Sequence, residues 1–183
     1  MRKPFDLIFF DKRNISLSKL IWQVTILLCL VSVRSFAADW SETNPPLNLT
    51  HIFEGEINNR GKAVGFHARY LGQDPENSQL LRIISGPNER GVYTGEVEIY
   101  DEKEDRWKRK AFTSFFPDQL TKGQIQKLIL KAYHEGKTNK RGKWRGKSGL
   151  GFAIEGWLCP KGGKPTCPHG AINTAYPIYK KDQ

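Results

Sequence analysis

The feature that most limits the fold of this chain is an alternation of apolar and polar residues within the stretch from Val92 to Tyr100. Successive side chains of an extended chain point to opposite faces, so a half-buried strand shows this period of two. The apolar positions are Tyr93, Val97 and Ile99, and the polar positions are Thr94, Glu96 and Glu98. The acidic segment DEKED follows, and residues 107–116 then predict the returning strand of an antiparallel hairpin.

The returning strand carries two lysines and a serine of chemical interest. With an unbroken alternation, four side chains share one face of this strand: Lys108, Lys110, Phe112 and Ser114. The sequence gives no sign of a bulge that would break this alternation. We therefore expect Lys110 and Ser114 to point in the same direction.

The rest of the chain predicts several further strands and one clear helix. Strands are expected at residues 80–84, 149–159 and 173–179, and one that carries His67 within residues 62–71. The helix is expected at residues 121–136, because Thr121 and Gln124 form a capping box and Gly136 suits its end. Hairpins outnumber β–helix–β units. The fold class is therefore α+β, with mainly antiparallel sheets and a few packed helices.

The first 37 residues have the pattern of a secretory signal peptide. Basic residues precede an apolar run from Leu20 to Val33, and Ser35 and Ala37 have the small-x-small spacing of a cleavage site. The run is shorter than the ~20 residues that a membrane span requires. We expect cleavage after Ala37 and a secreted or periplasmic protein that is not held in the membrane. An uncleaved anchor is the alternative.

The remaining chain divides into a short linker and one domain. Residues 38–50 are polar and proline-bearing and predict a linker, and residues 51–183 predict the folded domain. The full chain has 29 Lys and Arg against 19 Asp and Glu, a net charge of +10. This excess suits a polyanionic partner, although it equally suits plain solubility.

Two cysteines in the C-terminal part predict a disulfide. Cys159 and Cys167 bracket a short loop, CPKGGKPTC, and an oxidising compartment would join them. A zinc site that includes His169 is the competing interpretation. It is one ligand short of the usual four.

Residues 137–149 form a strongly basic segment that we expect to be a loop. The segment has six Lys and Arg, three Gly and one Trp, and no acidic residue. Lys143 and Arg145 could follow a phosphate backbone, and Trp144 could stack on a base. A solvated basic loop is the alternative, so these three residues are weak candidates for RNA contact.

Two histidines and one lysine suggest a reaction. Cleavage of RNA by its own 2′-hydroxyl needs a base, an acid and a cation near the phosphate. Histidine suits both proton-transfer roles because its ordinary pKa is about 6.5, and lysine can supply the charge. His51 and His67 lie 16 positions apart, and Lys110 follows on the predicted hairpin. The sequence has no convincing cluster of metal ligands.

These residues lie in motifs that resemble a known family. HIFEGEIN and GFHAR, then KAFTSFFP, then NTAYP are similar to the bacterial branch of the EndoU (XendoU-like) endoribonucleases. That family includes the toxin domains of contact-dependent inhibition proteins. The resemblance covers residues 51–179 and keeps the motifs in the order of the family.

The resemblance implies a role for each matching residue. His51 matches the general acid, His67 the general base and Lys110 the lysine that stabilises the phosphate charge, with the order of acid and base left open. Ser114 matches a residue that reads the uracil edge. Thr174 and Tyr176 match the closing pair, in which the hydroxyl holds the base or phosphate and the ring stacks.

The family activity is cleavage of single-stranded RNA, often beside uridine, to a 2′,3′-cyclic phosphate and a 5′-hydroxyl. The resemblance implies no obligatory cofactor, although several members respond to manganese (Mn2+). A toxin role would imply an immunity protein as a second partner. Two other functions remain open from the residues: a non-catalytic exported module that binds RNA or another polyanion, and a metal-dependent hydrolase with His51 and His67 as ligands.

Overall fold

The computed structural model describes residues 39–160, 162 and 166–182. The predicted signal peptide at residues 1–37 lies outside this range, so that prediction and the secreted location remain expectations. Within the described ranges, no helix has both the length and the apolar character needed to cross a membrane.

Three antiparallel sheets and one long helix make up the described chain, which confirms the α+β prediction. Strands β1 (Glu56–Ile57) and β2 (Ala63–Val64) pair with each other. The second sheet has the order β3–β4–β5, formed by Ser78–Ser85, Tyr93–Asp101 and Arg106–Phe115. The third sheet has the order β6–β7–β8–β9, formed by Lys137–Thr138, Lys143–Lys147, Ala153–Leu158 and Ile172–Pro177. Short helical turns cover Thr50–Glu54 and Tyr70–Gly72.

The helix α1 spans Lys122–His134 and begins where the sequence predicts. The Thr121 hydroxyl accepts a hydrogen bond from the backbone of Gln124, whose side chain in turn accepts one from the backbone of Thr121. The buried stripe of the helix consists of Ile125, Ile129 and Ala132, and it packs against β7 and β8. This helix therefore covers one face of the four-stranded sheet.

The hairpin of β4 and β5 is confirmed, but the expectation of an unbroken alternation along β5 is wrong. Lys110 lies opposite Val97, whereas Thr113 lies opposite Gly95, so β5 has one extra residue at this point. Such a bulge shifts the alternation of every later side chain. Thr113, and not Ser114, therefore shares the face of Lys110. Phe112 lies within the bulge and is 60% exposed.

Residues 137–147 form a hairpin and not the predicted loop. Strands β6 and β7 pair with each other, and β7 pairs with β8. The alternation of β7 turns Trp144 toward the helix, where its ring meets Tyr133 edge to face at 5.6 Å between centroids. Trp144 is only 1% exposed. The prediction that Trp144 stacks on RNA is therefore wrong, because its ring lies in the core.

The predicted linker at residues 38–50 is part of the domain from residue 39 onward. Leu47 is fully buried and forms a parallel bridge with Ile172 of β9. The backbone amide of Ile172 donates to the Pro46 carbonyl at 2.8 Å, and the amide of Asn48 donates to the Ile172 carbonyl at 3.0 Å. Prolines and polar residues dominate this segment, so its sequence pattern does not indicate that Leu47 is deeply buried.

The predicted disulfide between Cys159 and Cys167 is present, with a Cα–Cα distance of 5.5 Å. It joins the segment after β8 to the segment before β9. Because the two sulfurs are bonded to each other, they are not free to act with His169 as zinc ligands.

Candidate active site

His51 lies on the helical turn Thr50–Glu54 and is held by two hydrogen bonds. Its backbone amide donates to Asn48 Oδ1 at 3.0 Å, which fixes the start of the turn. Its ring Nδ1 lies 2.8 Å from Glu56 Oε1 on β1. An ionised carboxylate can only accept, so Nδ1 carries a proton. Nε2 is then the ring nitrogen that can exchange a proton with a ligand.

The backbone around His67 is attached directly to the backbone around His51. The amide of Phe66 donates to the His51 carbonyl, and the amide of His67 donates to the Ile52 carbonyl, both at 2.8 Å. As a result, the two imidazole centroids lie 6.0 Å apart. The prediction that His67 lies in a strand is wrong. His67 lies in the irregular segment that follows β2.

A glycine makes this close approach possible. Gly65 has a φ of +77°, and a Cβ at this position would lie 2.2 Å from the carbonyl oxygen of His51. Phe66 also has a positive φ of 58°, which is unfavourable for a bulky residue and is held here by full burial of its side chain. The GFH motif therefore adopts a backbone conformation that places His67 next to His51.

The protonation of His67 follows from its neighbours. Its Nδ1 lies 3.2 Å from the carbonyl oxygen of Ser114 and 3.0 Å from Thr113 Oγ1. The Thr113 hydroxyl donates its proton to the Phe66 carbonyl, so toward His67 it acts as an acceptor. Both contacts therefore require a proton on Nδ1. In the neutral ring, the lone pair lies on Nε2.

The surroundings of His67 favour its neutral form. Burial lowers the pKa of His67 well below its usual 6.5, and the charges of Lys110 and His51 lower it further. Only the hydrogen bond to the Ser114 carbonyl acts in the opposite direction. A neutral imidazole with a free lone pair can act as a base.

Lys110 supplies a positive charge beside His67. Its Nζ donates to the Gly65 carbonyl at 2.5 Å and to Thr113 Oγ1 at 3.0 Å. Burial lowers the pKa of Lys110 from 10.5 to about 8. The neighbouring Lys108 is instead engaged with Asp101 and Glu104, at 3.6 and 2.6 Å. Lys110 is therefore the lysine that adjoins His67.

Tyr176 of β9 closes the other side of the site. Its ring centroid lies 5.4 Å from that of His67, and its hydroxyl donates to Glu155 Oε2 at 3.3 Å. Thr174 lies two residues earlier, on the same face of β9. Its buried hydroxyl has no hydrogen-bond partner among the described residues. A buried hydroxyl without a partner is uncommon in folded proteins.

The structure thus brings four of the predicted residues together: His51, His67, Lys110 and Tyr176. The backbone carbonyl of Ser114 also takes part, while its predicted role toward uracil remains a prediction. Lys143 and Arg145 lie further along the four-stranded sheet, and both form ion pairs with Glu155. Among the described residues, no three His, Cys, Asp or Glu side chains gather where they could hold a metal ion.

Sequence reasoning missed three residues that shape this site. Glu56 follows His51 by five positions, and only the turn between them makes the contact. Thr113 was hidden by the bulge in β5. Glu155 stands opposite Tyr176 in the register of β8 and β9, which the residues of β8 alone do not specify.

Comparisons with known proteins identify the family of this chain. A family model described as "Bacterial EndoU nuclease" matches residues 47–179. Because this match covers most of the chain, it assigns the protein to a class of nucleases. The chain belongs to the bacterial EndoU nuclease family.

One relative is a protein named "Toxin" from Bacillus cereus, which is 36% identical over 93 residues. The aligned region makes up 49% of this chain and 16% of that protein, so this chain corresponds to only a small part of it. No solved structure matches the chain.

The lowered pKa of Lys110 predicts a pH effect on stability. Between about pH 8 and 10.5, the unfolded chain holds this proton while the folded protein loses it. Stability contributed by this group therefore rises with pH across that window. Denaturation of the wild type and Lys110→Met in parallel should show the wild type gaining stability relative to the variant. A constant difference from pH 7 to pH 10.5 would contradict the assignment.

Proposed function

We propose that the protein is an endoribonuclease that cleaves single-stranded RNA by attack of the 2′-hydroxyl on the neighbouring phosphate. The observation that carries the proposal is the pair of imidazole rings 6.0 Å apart, which have oppositely charged neighbours. One ring contacts a carboxylate, and the other lies beside a lysine. Environments that differ in this way separate an acid from a base.

His67 is the general base. Its pKa is lowered, so it is neutral near neutral pH, and its Nδ1 proton is held by Ser114 and Thr113. Nε2 then takes the proton from the 2′-hydroxyl as the 2′-oxygen bonds to phosphorus. The support from Thr113 and Ser114 keeps the ring in this tautomer.

His51 is the general acid. The Glu56 carboxylate accepts from its Nδ1 and stabilises the ring when both nitrogens carry protons. Nε2 gives its proton to the 5′-oxygen as the bond from that oxygen to phosphorus breaks. The products are a 2′,3′-cyclic phosphate and a 5′-hydroxyl. Lys110 stabilises the charge that develops on the phosphate oxygens.

The residues around this centre would hold the RNA. Tyr176 stacks on a sugar or base beside His67, and the Thr174 hydroxyl and Ser114 bind the nucleotide, which would give a preference for uridine. Lys143 and Arg145 lie where a phosphate backbone could pass. Trp157 of β8 lies opposite Lys143 and has an exposed ring. It can therefore take the stacking role that the sequence suggested for Trp144.

The predicted signal peptide and the relative named Toxin support a proposal for the cellular role. The protein is proposed to act after export, in the periplasm or outside the cell, as a toxin against RNA. An immunity protein would then be its second partner. Manganese would stimulate the reaction without being required for it.

The experiment is incubation of the protein with an oligoribonucleotide that contains one uridine, followed by mass analysis of the ends. We expect a 2′,3′-cyclic phosphate and a 5′-hydroxyl, and no cleavage when that uridine is 2′-deoxy, because the nucleophile is then missing. The His67→Ala variant should cut roughly 100- to 10,000-fold more slowly, the usual range for loss of a general base. Its RNA affinity should change little.

Three outcomes would favour other functions. A 5′-phosphate at the new end would mean hydrolysis by water, and complete loss in excess chelator, restored by one metal, would favour a metal-dependent hydrolase. Binding of RNA without cleavage by the wild type would favour the polyanion-binding module.

The Thr113 hydroxyl offers a second test, because it contacts both His67 and Lys110. Thr113→Val keeps the shape but removes the acceptor, so His67 loses the support of its tautomer. We expect cleavage to fall roughly 10- to 100-fold, as for other small misplacements of catalytic groups. Thr113→Ser retains the hydroxyl and should keep most of the activity. Equal activities of the two variants would exclude a positioning role.

A further inference from the structure

A row of four residues crosses the four-stranded sheet from the catalytic site outward. Tyr176 on β9 lies opposite Glu155 on β8, which lies opposite Arg145 on β7, which in turn lies opposite Lys137 on β6. Neighbouring strands are about 4.8 Å apart, so this row spans roughly 14 Å. It begins at the tyrosine that contacts His67 and ends at a lysine on the far edge of the sheet.

The row lies on the face of the sheet that the helix does not cover. The alternating positions Trp144, Ile154 and Ala175 belong to the core on the helix side. The side chains between them therefore face the other way. A second row on this open face runs from Lys143 through Trp157 to Thr174. Both rows thus lead from cations on β6 and β7 to β9, where Tyr176 contacts His67.

The outer end of these rows contains a pocket of about 270 Å³. Lys137, Lys143 and Arg145 contribute three positive charges to its lining, and Thr138 and Asn139 contribute polar groups. The only acidic residue in the lining is Glu155. The pocket therefore has a net positive charge, which favours an anionic ligand such as a phosphate group.

Glu155 organises the cations without cancelling them. Its side chain is only 12% exposed, and it contacts Lys143 Nζ at 3.0 Å and Arg145 Nη1 at 3.1 Å. The side chains of Lys143 and Arg145 are 38% and 53% exposed. The carboxylate thus lies beneath two cations that remain accessible, which restricts their positions before a ligand arrives.

We propose that this pocket is a second phosphate subsite, which binds the RNA backbone at a phosphate other than the scissile one. This inference rests on the proposed function, since the scissile phosphate must lie between His51 and His67. A strand that stacks on Tyr176 and continues along the open face reaches the pocket. A dinucleotide has only one phosphate and cannot occupy both positions.

The test compares a uridine-containing dinucleotide with a longer oligoribonucleotide that has the same cleavage site. The variant Lys137→Glu reverses one positive charge of the pocket and leaves Arg145 and its contact with Glu155 intact. The matched control, Lys127→Glu, makes the same reversal on α1, on the other side of the sheet. The variant should raise KM roughly tenfold for the long RNA and leave kcat/KM for the dinucleotide within about twofold. The slope of the logarithm of RNA affinity against the logarithm of salt concentration should become less steep by about 0.7 for each lost phosphate contact.

Equal losses on both substrates, or a loss for the control as large as that for the variant, would overturn the subsite. Binding of a long oligonucleotide with 2′-deoxyuridine at the cleavage position separates this result from the proposed function. The variant should bind that uncleavable strand roughly tenfold more weakly than the wild type, whether or not the wild type cleaves RNA. Unchanged binding would overturn the subsite alone, and absence of cleavage by the wild type would overturn the proposed function alone.

Discussion

The two hydrogen bonds that join the backbone at residues 66–67 to the backbone at residues 51–52 are the constraint on which the site depends. They form between segments that are neither a regular helix nor a sheet, so the chain needs special conformations to make them. Gly65 and Phe66 supply these conformations with positive φ angles. Buried Ile52 and Phe66 side chains hold the two segments in place. The distance between the histidine rings therefore follows from backbone geometry, and not from the flexible side chains alone.

The same arrangement creates an electrostatic difference between two identical side chains. His51 donates to a carboxylate, whereas His67 lies in a buried position beside the Lys110 ammonium group. The charge on Lys110 is itself disfavoured by burial, as its lowered pKa indicates. This cost to stability is the kind that active sites commonly carry, because a charge held out of water acts more strongly on a bound phosphate.

The sequence predicted those parts of the fold in which one periodicity is unbroken. The sequence predicts the β4 strand because Val97 and Ile99 repeat at the two-residue spacing of a strand. It predicts the α1 helix because Ile125 and Ile129 repeat at the four-residue spacing of a helix. The bulge at Phe112 has no such signal, since one extra residue in a strand changes only the residues after it. The basic composition around Trp144 suggested a solvated loop and obscured an alternation that turns this ring into the core. His51, His67, Lys110 and Tyr176 were identified from motifs, but their partners Glu56, Thr113 and Glu155 depend on turns and strand register that no local pattern contains.

The central claim is that His67 is a neutral base whose tautomer is fixed by Thr113 and Ser114. Nitrogen NMR of the histidine side chains in the protein measures this directly, because the ring nitrogens report which of them carries a proton. At pH 6.5, the usual pKa of histidine, we expect His67 to be neutral with its proton on Nδ1. A doubly protonated His67 at that pH, or a neutral ring with its proton on Nε2, would contradict the account.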